Sequence, residues 1–308
     1  MTSKAIAHPQ EDSPTRAWLA RNQGLLFVGP AILLFAIFVL YPVIYIFVAS
    51  AHDWNGFSNA TYVGLDNFVR LFTADRAFGL AMRNTVYWAI LTIFPQMFIG
   101  FLFAYILNSG IPGQNIFRAI FYMPAIISPV VLGIIWQRIY NPFGGLLADV
   151  GLATWLRFLV QPYLADPKIA IFSSIAVNVW QWTGFSMLLY IAGLQGIPEE
   201  IIDAARVDGA STWQRIRRII WPMLRHVHLT LILLGIIGTL QTFALIYALT
   251  EGGPNNATQM LPTYIFQQAF QLQSMGYAAA VSVVLLLIAL TSSVFQVTVL
   301  GSKFALTQ

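Results

Sequence analysis

The stretch PEEIIDAARVDGASTWQRIRRIIWP, residues 198–222, is the longest charged interruption in an otherwise apolar chain. It carries four acids and four arginines, whereas the 308-residue chain is 9% charged and 58% hydrophobic. Pro198 suits the first turn of a helix, where its missing N–H costs nothing. Glu199 and Glu200 then fall where the helix dipole favours acids. Glu199 and Asp203 stand four apart, a like-charge pair on one face. Arg206, three beyond Asp203, can relieve it. Gly209 can end this helix in a left-handed conformation, and Ser211 can cap a second helix that runs to about Ile220. On that second helix Trp213, Ile216 and Ile220 share a face, with Arg215 and Arg218 on another. Ala204, Ala205, Gly209 and Ala210 make a surface poor in side chains. Two readings follow. The segment lies on anionic lipid headgroups through its arginines, or its small-residue patch lets a soluble partner's backbone approach.

Outward from this insert, the chain is built of membrane-length runs. Soluble domains are about 45–50% apolar and about 25% charged, so an integral membrane protein is expected. Six runs reach the roughly 20 apolar residues a spanning helix needs: 24–49, 85–107, 116–139, 170–194, 229–249 and 278–300. Tails at 1–23 and 302–308 flank a membrane domain at 24–301. The N-terminal segment contains Glu11 and Asp12 and precedes a run too long for a signal-peptide core, so the first run reads as a retained span. Pro30, Pro42, Pro95, Pro124 and Pro129 lie within runs, where membrane helices tolerate them as kinks. With the N-terminus inside, inner segments hold ten Lys and Arg residues and outer segments six, which favours both termini in the cytoplasm. The net charge of +4 is this loop bias and implies no nucleic-acid partner. Phe68, Leu71 and Phe72 recur at helical spacing and predict a short interfacial helix in the loop 52–82.

Several chemistries are excluded by what the chain lacks. It has no cysteine, hence no disulfide and no thiolate metal site. His226 and His228 are two apart and point to different helix faces, so no metal site is expected. No G-x-x-x-x-G-K-[ST] phosphate loop is present, and the runs contain no acid pair of the kind a proton relay uses. Polar residues within spans are costly and face protein or a cavity. In the fourth run Asn178, Gln181 and Thr183 interleave with Trp180, Trp182 and Phe185. In the fifth, Thr239, Gln241 and Thr242 gather with Phe243 and Tyr247. Amides, hydroxyls and aromatic faces suit a sugar. The same residue types also hold membrane helices together.

Asp203-Ala204-Ala205, three residues, Gly209, nine residues, then Ile219-x-Trp221-Pro222 resembles the EAA loop of ABC-importer permeases, with Asp for Glu and Trp for Leu. YVGLDNFVRLF (62–72), RNTVYW (83–88), YALTEGGP (247–254) and GYAAAVS (276–282) resemble the maltose-type carbohydrate importers, and LTxGGP their first permease subunit. The resemblance implies an all-α, six-transmembrane-helix permease bundle in a prokaryotic cell membrane. It implies that Glu199, Glu200, Asp203, Ala204, Ala205, Asp208 and Gly209 form a coupling helix seated on an ATPase. Implied partners are a second permease in a heterodimer, an ATPase dimer that uses ATP and Mg, an extracytoplasmic solute-binding protein and a carbohydrate. No cofactor is bound by the chain itself, and it is not an enzyme.

In the maltose-type first permease a sugar-binding asparagine stands 25 residues before the EAA acid, and Asn178 matches it. Gln181, Trp182 and Phe185 follow at contact positions, with Gly235, Gly238, Thr239 and Thr242 on the fifth run. These side chains differ from the maltose pattern, which implies a reshaped site for another di- or oligosaccharide. Alternatives are a polyol or glycerol phosphate compound on the same scaffold, and an ion-coupled secondary transporter working alone.

Overall fold

The computed structural model describes residues 27–296 and Thr298; the tails expected at 1–23 and 302–308 lie outside them. The described chain is an all-helical bundle with one two-residue hairpin pairing, β1 (His52–Asp53) with β2 (Thr61–Tyr62). Its helices in order are α1 (Phe27–Ser50), α2 (Asp66–Thr73), α3 (Arg76–Leu107), α4 (Gln114–Ile126), α5 (Pro129–Ile139), α6 (Leu146–Ala153) and α7 (Ala170–Gln195). They continue as α8 (Glu199–Val207), α9 (Thr212–Met223), α10 (Arg225–Leu240), α11 (Ala244–Thr250), α12 (Leu261–Phe266) and α13 (Met275–Phe295). Three helices, α1, α3 and α13, are long and apolar enough to cross a bilayer, and five spans result if each bent pair counts as one.

Two expected spans are not straight. The third run breaks into α4 and α5, which meet at 98°. Proline at 129 disfavours helical backbone in the residue before it, and Ile127 and Ser128 are extended there. The fifth run is also interrupted: α10 ends at Leu240 before α11 begins at Ala244. Just ahead of that run, α9 meets α10 at a 63° bend. Helix α3, by contrast, runs through Pro95 unbroken. It begins nine residues before the expected boundary, because Asp75 caps it by accepting from the Phe78 amide at 2.9 Å. At 32 residues it is about 48 Å long, so it projects beyond a hydrocarbon core of about 30 Å.

Prolines 42 and 222 follow a π-helical turn each, Ala36–Leu40 and Ile216–Ile220. In both, the amide just before the proline reaches back five residues, Tyr41 to Ala36 and Trp221 to Ile216. The helix therefore passes the missing proline N–H without ending. The expected interfacial helix is α2. Leu71 is its buried residue, while Phe72 points outward and meets the Phe78 ring edge-on at 5.6 Å.

Helix α7 is the centre of the bundle and packs along α3. Its Gly184 lets α4 approach so closely that a Cβ there would lie 2.0 Å from the Phe121 carbonyl oxygen. At one end, Phe101, Tyr190, Leu194, Leu224 and Leu231 form a core. Within it the Tyr190 hydroxyl lies 2.8 Å from His228 Nδ1, and His228 Nε2 lies 3.0 Å from the Trp221 carbonyl. A carbonyl only accepts, so Nε2 carries the proton and a neutral Nδ1 accepts from Tyr190. This pairing ties α7 and α9 to α10 across the 63° bend. At the other end the Asp75 carboxylate accepts from the Tyr264 and Tyr277 hydroxyls, and Arg70 lies over the Tyr277 ring at 4.6 Å. Helices α3, α12 and α13 meet on that one carboxylate, and α2 joins them through the Tyr277 ring.

Candidate functional site

A cavity of about 480 Å³ opens between α3, α7 and α10. All six residues singled out as a binding lining, Asn178, Gln181, Trp182, Phe185, Thr239 and Thr242, border it, as do Gly235 and Gly238. On α7, positions 178, 181, 182 and 185 fall on one face at the three- and four-residue spacing of a helix. Trp182 stands edge-on to Phe185 at 6.0 Å. Thr183 and Trp180 turn elsewhere. Thr183 is buried and donates to the Val179 carbonyl, and Trp180 meets Trp136 at 5.4 Å. Tyr247 also leaves the cavity and stacks on Phe243 at 5.2 Å.

The cavity's polar groups have a defined sense. Thr92, Thr239 and Thr242 donate their hydroxyl protons to the carbonyls of Trp88, Gly235 and Gly238 at 2.7, 2.9 and 2.8 Å. Each hydroxyl then offers only lone pairs to a ligand. Gln181 is 1% exposed and donates its amide to the Ile127 carbonyl at 3.3 Å, at the break between α4 and α5. Its Oε1 is buried with no partner among the described residues. No Asp, Glu, Lys, Arg or His is among the described residues lining the cavity. The site is a neutral concavity rich in acceptors, with aromatic faces from Trp88, Trp182, Phe185 and Phe243.

The charged insert folds as its residues dictate. Helix α8 starts after Pro198 and ends in a Schellman cap. The Ala210 amide donates to the Ala205 carbonyl at 2.9 Å, and the Gly209 amide to Arg206 at 3.0 Å. Gly209 sits at φ +77°, and a Cβ there would meet nothing within 4 Å. Arg206 pairs with Asp203 at 2.8 Å, with both side chains largely exposed. Ser211 and Gln214 form a capping box for α9. Of the seven residues singled out here, Ala205 is buried, and Glu199, Glu200, Asp203, Ala204, Asp208 and Gly209 are exposed. They share that surface with Val207, 88% exposed, and Trp213, 67% exposed.

Residues 96–300 match the family described as binding-protein-dependent transport system inner membrane component. The chain belongs to this family. Among curated relatives, a probable ABC transporter permease of Bacillus subtilis, YurN, is 36% identical over 274 residues, covering 88% of this chain and 93% of the relative. The lactose transport system permease protein LacF of Rhizobium radiobacter is 34% identical over 277 residues, covering 89% of this chain and 92% of the relative. Of solved structures, a bacterial ABC transporter involved in the import of the acidic polysaccharide alginate aligns at TM-score 0.77. Its sequence is 24% identical, and the match covers 95% of this chain and 100% of that one. That likeness shows the fold. Membership makes the chain a non-catalytic permease subunit.

The permease cavity also takes residues that the spacing argument did not select. Trp88, Thr92 and Gln96 line it from α3, four residues apart. The available signal was that stripe of one aromatic and two polar residues along one face of an apolar run. The signal is weak because Thr92 and Gln96 are single polar residues a turn apart, whereas the fourth and fifth runs gather theirs in clusters. Pro129, at the start of α5, and Gln241, at the end of α10, complete the rim at the two helix breaks.

Proposed function

We propose that the chain is one permease half of an ATP-driven importer of a neutral di- or oligosaccharide, and that the α3–α7–α10 cavity is its sugar site. The observation that carries this reading is the lining itself, with spare acceptors, aromatic faces and no charge. A sugar supplies hydroxyl donors for those lone pairs and an apolar face for the rings. A carboxylate or phosphate would find no cation there and would be left unpaired. This disfavours a glycerol phosphate, and it separates the ligand from the acidic polysaccharide named for the alginate importer. Relatives named for lactose, arabinooligosaccharides and trehalose/maltose support a carbohydrate.

In this reading the chain crosses a prokaryotic cell membrane six times, with both termini in the cytoplasm. Helix α7 is the sixth span beside α1, α3, α13 and the two bent pairs. Its amides lower its hydropathy, but they face protein and cavity instead of lipid. Helix α8 and Gly209, in the maltose-type EAA loop, seat on one subunit of an ATPase dimer that binds ATP and Mg. A second permease completes the path, and an extracytoplasmic binding protein delivers the sugar. Movement of α8 passes through α9 and the His228 pairing to α7 and α10, and the breaks at Ile127–Ser128 and Gln241–Phe243 allow the cavity to change its opening. The test is sugar-stimulated transport by the reconstituted complex. Asn178→Ala and Thr242→Val are expected to raise KM while ATPase assembly is unchanged. Unaltered KM in both would remove the cavity from the path.

A further inference from the structure

Gln96 is the carboxamide that lines the cavity from α3. It projects from α3, opposite α7, and is 7% exposed. It makes no hydrogen bond to any described residue, yet it lines the cavity. Neither polar atom of its carboxamide is sealed inside the protein, so both open on the cavity and are free for a ligand. Its neighbours along the stripe cannot substitute for it. Thr92 has committed its proton to Trp88, and Trp88 offers a ring. Thr239, Thr242 and the free oxygen of Gln181 offer acceptors, and the other unpaired carboxamides, Asn178 and Gln241, line the α7 and α10 sides, so on the α3 wall Gln96 is the group that can both donate and accept. A carboxamide presents one acceptor and one donor side by side. That pair matches two adjacent hydroxyls of a sugar ring, one donating to Oε1 and the other accepting from Nε2.

We propose that Gln96 is a specificity-determining residue that reads a vicinal diol of the transported ligand, closing the cavity from the α3 wall. The proposal rests on the carbohydrate reading above, and its test separates the two. The chain has no native cysteine, so in the full complex the introduced cysteine is this subunit's one thiol, and labelling is read on this subunit after the subunits are separated by electrophoresis. Gln96→Cys and Asn178→Cys are expected to react with a small methanethiosulfonate cation, whereas Ala104→Cys, two turns along α3 and fully buried, is not. If both cavity positions are unreactive, the cavity is not an aqueous path and the transport reading falls together with this one. If Asn178→Cys reacts and Gln96→Cys does not, only the role of Gln96 is overturned.

The second arm uses Gln96→Met, which keeps the length and loses both hydrogen-bonding atoms. No protein hydrogen bond is lost with it, so a merely structural role would leave kinetics unchanged. With lactose, maltose and trehalose as probes, KM for the transported sugar is expected to rise about 2- to 10-fold, the worth of one net hydrogen bond, with kcat retained. The wild-type complex should discriminate against monodeoxy analogues of that sugar, and the variant should lose the discrimination at one ring position. Unchanged KM and unchanged deoxy selectivity, or no stimulation of the wild-type complex by any of the three sugars, would overturn the assignment.

Discussion

The Gly209 cap separates local folding from docking, because the structure gives the two effects different dependences on side-chain size. Gly209 holds φ +77°, and a Cβ added there meets no atom of this chain within 4 Å. Any L-residue other than Asn or Asp pays the left-handed penalty of about 1–2 kcal/mol, which lowers the population of the capped turn by a factor of about 5–30. Ala and Leu share that penalty, whereas Asn largely escapes it. Space within this chain accommodates all three. The cap can be read from hydrogen exchange at the Ala210 amide, which donates to Ala205. Coupling can be read as sugar transported per ATP hydrolysed in proteoliposomes. If α8 seats in an ATPase groove, coupling falls in the order Gly, Ala, Asn, Leu, and Asn loses coupling although its cap stays protected. If Asn behaves as wild type while Ala and Leu fail equally, Gly209 serves only the cap and the docking argument is refuted.

Three further outcomes follow from packing and electrostatics. Gly184→Ala places a methyl 2.0 Å from the Phe121 carbonyl oxygen. Such overpacking costs about 1–3 kcal/mol and should lower the thermal midpoint in detergent, whereas Gly238→Ala, with open space at its Cβ, should leave it unchanged. Burial alone would raise the Asp75 carboxyl, but hydrogen bonds from Tyr264, Tyr277 and the Phe78 and Ala77 amides outweigh it and hold it below the usual carboxylate range. Its contribution is therefore full above the unfolded value of about 3.9 and is lost as pH falls through the lower folded value. Asp75→Ala should lose the helix cap, about 0.5–2 kcal/mol, together with the two tyrosine bonds, and should flatten the acid limb of a pH–stability profile. His228→Phe keeps the ring and strands the Tyr190 hydroxyl, so it should destabilise the fold by about 1–3 kcal/mol, measured by the same melting assay.

The residue types carried local structure further than they carried bends. The cap at Gly209, the box at Ser211 and the Asp203–Arg206 pair are short-range and follow from spacing alone. Of the polar residues in the fourth and fifth runs, Asn178, Gln181, Thr239, Gln241 and Thr242 line the cavity, whereas Thr183 turns back on its own helix, because a hydroxyl can bond the carbonyl four residues before it. The breaks at Ile127–Ser128 and Gln241–Phe243 were not legible. Pro129 signals a kink, but a proline at 95 leaves α3 continuous, so the sequence pattern does not distinguish a tolerated proline from a break. No proline marks the second break at all. The Asp75 cluster joins residues 189 and 202 apart in sequence, and only tertiary packing brings them together. Gln96 was hidden because a single amide beside a proline in a long apolar helix has no local partner to announce it.

In the proposed function, a charge-free, acceptor-rich cavity in this permease passes a neutral sugar under the control of a separate ATPase. The direct measurement is ATPase stimulation of the complete complex in proteoliposomes, with its binding protein, by neutral disaccharides and by oligosaccharides of uronic acids. Stimulation by a neutral sugar, reduced by Thr242→Val, is the predicted result. Stimulation by the acidic oligosaccharides alone would contradict it.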